Sequence, residues 1–208
     1  PSPDAYEALL CVASYLYKTR SIGITFGGEP QLPDIMSDPP LKADQFVKEN
    51  GLHSWSDASW GTPSYAGHVI TLCNGPICWS SKKIKVTTLS SAEAEICSGV
   101  ACCKDMKFVR EVMKFLDLPI IGPTPLIIDA EAMWFHTRNT GVSRLTRHFE
   151  IWQNFVREQY NKRYISVHKT DTNNERADLL TKPLPKVEGL YRAYRNIIMN
   201  VNANDEEE

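Results

Sequence analysis

Residues 64–83 read "SYAGHVITLCNGPICWSSKK". Asn74-Gly75 sits at the centre, between two runs rich in β-branched and aromatic residues. An Asn-Gly pair accepts the positive φ angles that a two-residue hairpin turn demands. The stretch therefore predicts two antiparallel strands. "LHSWSDASW" (52–60) just upstream is a third strand-like run. Three neighbouring strands in a row set the frame for everything that follows.

Downstream the apolar period changes from that of a strand to that of a helix. "LSSAEAEICSGVACCKDMKFVREVMKFLDL" (89–118) predicts a long helix, with a break expected near Lys104. Ser90 is its expected N-cap. Glu93 then falls at the third helical position, where it reaches back to the cap's own N–H and leaves Glu95 free to point elsewhere. "PTPLIIDA" (123–130) predicts a strand, "SRLTRHFEIWQNFVREQYNKR" (143–163) an amphipathic helix, and "YISVHK" (164–169) a strand. "NNERADLLTKPL" (173–184) starts a helix that Pro183 interrupts, and residues 186–199 form another. The order β-β-β-α-β-α-β-α implies an α/β fold, a five-stranded mixed sheet flanked by helices.

Ahead of this lie a helix over residues 4–18, a short strand in "SIGITFGG" (21–28) and a Pro-rich linker over 29–50. Residues 1–50 form one unit on this reading, residues 51–200 the main domain, and residues 201–208 an acidic tail expected to be disordered. The start at Pro1 suggests a piece of a longer polypeptide. No signal peptide and no run long enough to span a bilayer is present.

The chain of 208 residues carries a formal net charge of −2. Asp205, Glu206, Glu207 and Glu208 supply four of its 25 acids, so the remainder is close to neutral. A nucleic-acid partner would need local basic patches, not a global field. "SSKKIK" offers Lys82, Lys83 and Lys85, and "SRLTRH" offers Arg144, Arg147 and His148. The six cysteines form no CxxC pair. They are expected as buried free thiols in a reducing compartment. His68, Cys73 and Cys78 share one segment, but their spacing fits no known zinc finger, so zinc is not expected. Trp55, Trp60, Trp79, Trp134 and Trp152 are expected in core or sheet packing.

Four acids occupy similar places. Asp57 lies on the first strand, Asp129 ends the fourth, Glu95 is in the first turns of the long helix, and Asp178 begins the helix after the last strand. Sites in open α/β sheets gather near strand ends and the adjoining helix N-termini. Four converging carboxylates repel unless cations intervene. Two Mg²⁺ ions suit such hard oxygen ligands and support phosphodiester cleavage. His168, whose unperturbed pKa lies near neutrality, can move protons beside such a site. Each residue also has an ordinary reading as a cap, a surface charge or a core histidine.

"SDASW", "GPICWSSKKIKVTTLSSAEAEI", "IIDAEA", "LTRHFEIWQNFVRE" and "ADLLTKPL" together resemble the RNase H domain at the C-terminal end of copia-type LTR-retrotransposon reverse transcriptases. The resemblance covers residues 52–185, and residues 4–28 look like the connection segment before that domain. His168-Lys169, Asn174-Glu175 and Asp178 also resemble the "HK", "NE" and aspartate spacing of retroviral RNase H. The resemblance implies an RNase H-like fold with Asp57, Glu95, Asp129 and Asp178 as metal-binding carboxylates. It makes His168 a mobile loop histidine that assists product departure. It implies endonucleolytic cleavage of the RNA strand of RNA–DNA hybrids, with two Mg²⁺ (Mn²⁺ able to substitute) and products ending in 3′-hydroxyl and 5′-phosphate. The implied partners are the hybrid and a reverse transcriptase polymerase domain in the same polyprotein. The implied location is intracellular, in a cytoplasmic virus-like particle, with the nucleus as the other compartment.

Asn74, Ser90 and Ser91 are candidates for reading the 2′-hydroxyl groove. Lys82, Lys83, Arg144 and Arg147 are candidates for phosphate contacts. Ser59 stands where the family usually has a second aspartate, Ala130 where it usually has asparagine, and the loop "WGTPSY" is short, which implies a reduced grip on substrate. The competing reading is a domesticated or catalytically weakened module that binds nucleic acid or protein. A transposase-like core acting on DNA ends is a further rival, but it leaves the His168–Asp178 loop unexplained.

Overall fold

A computed structural model describes residues 2–27, 51–120, 122–138, 149–183 and 190–201. The elements in chain order are α1 (Pro3–Lys18), β1 (His53–Ser59), β2 (Tyr65–Leu72), β3 (Gly75–Lys83), α2 (Ser91–Phe115), β4 (Thr124–Ile128), α3 (Glu131–Arg138), α4 (Glu150–Asn161), β5 (Ile165–Lys169), α5 (Asp178–Thr181) and α6 (Leu190–Met199). The five strands form one sheet in the order β3-β2-β1-β4-β5. β1 is antiparallel to β2 and β2 to β3, while β1, β4 and β5 run parallel. This is the expected mixed sheet.

The expected hairpin forms, but its two turn residues lie one position earlier than Asn74-Gly75, and Gly75 already opens β3 opposite Leu72. Cys73 and Asn74 take φ angles of +48° and +65° between β2 and β3. Ser90 caps α2, its Oγ accepting from Glu93 N at 3.3 Å. Glu93 does reach back, but its Oε2 accepts from Leu89 N at 2.8 Å, one residue before the cap.

α2 is unbroken through Lys104. Cys102, Cys103, Met106, Val109 and Met113 are all buried at helical spacing, so its apolar stripe continues past the polar pair Lys104-Asp105. That stripe, with Ile70, Leu126, Ile128, Ile165 and Val167 from the sheet and Val156 from α4, makes the larger core. A smaller core of Trp55, Val69, Ile127 and Ala177 lies on the opposite face, with Leu180 and Ile198 packed against it from α5 and α6. Each fully buried side chain of this kind contributes about 1.5–3 kcal/mol.

Residues 22–27 do not join the sheet as the expected strand. They carry no regular secondary structure and tie two distant pieces together. Gly27 N donates to Cys73 O at the hairpin turn, and Thr25 N donates to Met199 O at 3.1 Å. Asn200 Nδ2 also reaches the Thr25 and Gly27 carbonyls, at 3.1 and 2.9 Å. α1 buries none of its residues. The Pro-rich linker and the acidic tail past Val201 lie outside the described residues.

Trp55 is fully buried, as expected, but Trp60 and Trp79 are more than half exposed. The cysteines are all free, but only Cys102 and Cys103 are buried; Cys78 and Cys97 are half-buried, and Cys11 and Cys73 are exposed. No helix among the described residues is long and apolar enough to cross a membrane.

Candidate metal centre

Strand pleat and register place the acids. On β1, Ser54, Ser56 and Ala58 face α2: Ser56 Oγ donates to Ser98 Oγ at 2.9 Å, and Ser98 Oγ donates to Gly67 O at 3.0 Å. Trp55 and Asp57 therefore point to the other face. β4 lies beside β1 in parallel, with Trp55 in register with Ile127. Asp129, two residues on, points the same way as Asp57. Glu95 enters from the second turn of α2.

Carboxylate oxygens of Asp57, Glu95 and Asp129 all lie within 4.8 Å of one another. Asp57 is 1% exposed and Glu95 8%. Glu95 Oε1 accepts from Ala58 N at 3.3 Å, while its Oε2 is buried without a partner. Burial first, then the charges of Asp57 and Asp129, push Glu95 up to about 9. Three hard oxygen donors around one point, with one of them neutral for want of positive charge, suit a divalent cation such as Mg²⁺.

Asp178 joins this group through a cation of the protein's own. Lys182 Nζ lies 2.7 Å from Asp178 Oδ1 and 3.2 Å from Asp57 Oδ1. The two residues sit one turn apart across α5, so one short helix delivers both the acid and its counter-charge. Thr181 Oγ1 donates to the second oxygen of Asp57. Burial raises the carboxyl of Asp178, and Asp57 and Asp129 add to it, while Lys182 opposes the shift. Glu175 is a fifth acid in the same field. It is fully buried, its Oε1 accepts from Ala177 N at 2.9 Å, and its Oε2 has no partner. Burial holds it well above the usual carboxylate range, with Asp57, Asp129 and Asp178 adding repulsion.

His168 is not in this cluster. It is a residue of β5, 3% exposed, and not of a mobile loop. Its Nε2 is 2.7 Å from Ser166 Oγ. Burial and the Arg138 charge lower its pKa to about 4, so the ring is neutral near pH 7. β5 ends at Lys169, where the sequence places the end of the strand, so the histidine is a strand residue and the mobile-loop position implied by the resemblance does not apply.

The substrate candidates separate. Lys82 and Lys83 lie exposed at the end of β3, in register with Ala66 and Tyr65, and Tyr65 pairs with Ser59 next to Asp57's end of β1. Ser90 and Ser91 begin α2, the helix that carries Glu95. Asn74 is at the opposite end of the sheet, beyond the pair His53–Thr71. Its Nδ2 donates to Gly27 O at 3.2 Å, so it braces the turn and does not approach the acids. Arg144 and Arg147 lie outside the described residues. Thr181, Lys182 and Glu175 carry the functional geometry that sequence spacing alone missed. The only available signal was the "NER" and "LLTK" flanking Asp178.

No family model matches the chain. It is 30% identical over 194 residues to the retrovirus-related Pol polyprotein from transposon RE1 of Arabidopsis thaliana, which covers 89% of this chain and 12% of that protein. It is 28% identical over 195 residues to the corresponding polyprotein from transposon RE2 of the same plant, covering 90% of this chain and 12% of that protein. The chain thus spans about an eighth of the length of these curated relatives. Among solved structures, it is similar to LC11-RNase H1 isolated from compost, with a TM-score of 0.50, 20% identity, and 64% of this chain and 93% of that one covered. That likeness establishes an RNase H-like fold.

Proposed function

We propose that this chain, an RNase H-like domain related to the Pol polyproteins of plant transposons, is a ribonuclease H that cleaves the RNA strand of RNA–DNA hybrids during reverse transcription. The observation that carries the reading is the convergence of Asp57, Glu95 and Asp129 within 4.8 Å, from three separate elements. Asp57, Glu95, Asp129 and Asp178 would hold two Mg²⁺, with Mn²⁺ as a substitute. When bound, such ions polarise the phosphoryl oxygens and supply a water nucleophile at neutral pH.

The chain's own residues do the positioning. Thr181 Oγ1 fixes one oxygen of Asp57 and Lys182 holds the other, while Ala58 N–H fixes one oxygen of Glu95 and leaves its second without a partner. The buried surroundings strengthen every electrostatic contact made there. Lys82 and Lys83 would contact phosphates. Beside them a groove of about 640 Å³ is lined by Trp60, Ser64, Lys83, Lys85 and Thr88, between the β1–β2 loop and the approach to α2. Ser90 and Ser91 would meet the 2′-hydroxyls that mark the RNA strand. His168 would assist product departure only after exchanging its Ser166 hydrogen bond for a substrate oxygen. A polymerase domain of the same polyprotein is the proposed partner, and an intracellular particle the proposed setting. Residues 1–50 are proposed as a connection segment to that domain.

The test is cleavage of a labelled hybrid by Asp129→Asn, with RNA duplex and DNA duplex as controls. The expected loss is at least about a hundredfold, or about 2.7 kcal/mol of barrier. Undiminished activity of that variant refutes the assignment. Hybrid binding without any Mg²⁺-dependent product supports the non-enzymatic module instead.

A further inference from the structure

A second group of potential ligands lies on the other face of the sheet. His68 on β2, Cys78 on β3 and Asp105 on α2 bring one donor atom each within 4.8 Å of one another. Sheet register fixes the first two. His68 pairs with Ser80 and Ile70 with Cys78, so His68 and Cys78 are diagonal neighbours on the side that α2 covers. Asp105 reaches down from α2, and its Oδ2 is 2.9 Å from His68 Nε2. The sequence pairs His68 and Cys78 with Cys73, but Cys73 is exposed in the turn, and Asp105 takes the third place.

We propose that His68, Cys78 and Asp105 form a binding site for one thiophilic divalent cation of the zinc class, separate from the carboxylate centre. The donor set is one thiolate, one imidazole and one carboxylate, which Zn²⁺ accepts and Mg²⁺ does not. Zinc bonds of about 2.0–2.3 Å in a tetrahedron put ligand atoms about 3.4–3.8 Å apart. The present separations need only side-chain adjustment to reach that. His68 is 2% exposed, while Asp105 is 44% exposed at its side chain, so the imidazole is fixed and the carboxylate is free to adapt. On binding, the Cys78 thiol gives its proton to solvent, and the ion replaces the hydrogen bond between His68 and Asp105. A water completes the fourth position. Lys82, whose positive charge acts on both His68 and Cys78, is exposed and able to swing away. The ion would clasp the edge strand β3 to α2, and thereby hold the strand that carries Lys82 and Lys83.

The test uses the whole chain with Co²⁺ as an optical probe, in excess Mg²⁺. The expected result is one equivalent bound, with a thiolate-to-cobalt charge-transfer band that Zn²⁺ displaces. Cys78→Ser and His68→Gln should each remove the band, while Cys73→Ser and Asp129→Asn should keep it. In thermal unfolding, Zn²⁺ should raise the midpoint of the parent chain and leave that of Cys78→Ser unmoved. Absence of the band at saturating Co²⁺, or its survival in Cys78→Ser, overturns the proposal. So does an equal Zn²⁺ shift in both proteins. Far-ultraviolet dichroism identifies a variant that has failed to fold, and Asp105→Asn then serves as the replacement, with the same loss expected.

Discussion

Lys182 Nζ sits 3.2 Å from Asp57 Oδ1 and 2.7 Å from Asp178 Oδ1, so an ammonium group bridges two of the acids assigned to metal. Asp57 is almost wholly buried, and a charge in that position needs a partner. Lys182 is over a third exposed, so it is an adjustable partner. In Lys182→Met, the chain without divalent ions should lose about 1–3 kcal/mol, the cost of an unpaired buried polar group reduced by solvent access. Added Mg²⁺ or Mn²⁺ should restore more stability to the variant than to the parent. Chemical denaturation with and without the ions measures both, and equal ion effects in the two proteins would count against the bridge.

Glu95 is buried beside two like charges and is held neutral up to about pH 9. A neutral isostere should therefore sit comfortably. Glu95→Gln is expected to leave the ion-free stability unchanged or raise it by about 1 kcal/mol, since the new amide N–H can donate to Asp57 or Asp129. The same variant should lose Mg²⁺-dependent hybrid cleavage at least about a hundredfold. Unfolding and cleavage assays on one preparation would expose any other pairing of outcomes.

Gly67 couples the sheet to the site. A Cβ there would come within 2.6 Å of Thr181 Cγ2 and 2.8 Å of Leu180 Cβ. Gly67→Ala should thus displace α5, which carries Asp178 and Thr181 and ends beside Lys182. The expected cost is about 1–3 kcal/mol, with cleavage reduced beyond what the unfolded fraction accounts for. Activity normalised to folded protein distinguishes that from simple destabilisation.

Acid should unfold the domain partly through His53. The ring is 1% exposed, and burial, then Arg176, lower its pKa from 6.5 to about 3. Between those values the unfolded chain binds a proton that the folded chain refuses. Stability is therefore fully present above about pH 6.5 and falls as pH drops toward 3, by about 1.4 kcal/mol per pH unit. His168 contributes in the same direction between 6.5 and about 4. Denaturant titrations from pH 7.5 to 4.5 should show this slope, reduced by one proton in His53→Leu.

The features legible from sequence were those set by neighbours along the chain. Asn74-Gly75 announced a hairpin, Ser90 a helix start, and Asp57 and Asp129 each declared a strand position. Lys182, Thr181 and Asp105 were not legible, because their partners lie up to 125 residues away and nothing local distinguishes them from surface residues. The break expected near Lys104 failed because Lys104 points to solvent and Asp105 finds a partner in His68, so neither interrupts the apolar stripe. The strand holding His168 was legible, but the mobile-loop role carried by the resemblance was not met, since the ring is buried within β5.

Asp57 and Asp129 share a side of the sheet because each is two residues beyond a registered neighbour, Trp55 and Ile127 respectively. The centre thus depends on the odd–even count along two strands. Loss of a single codon within either β1 or β4 would turn an acid through the sheet, from the open cluster into the apolar layer beneath α2. Such a lesion would silence the domain while sparing every coding letter of the acids themselves.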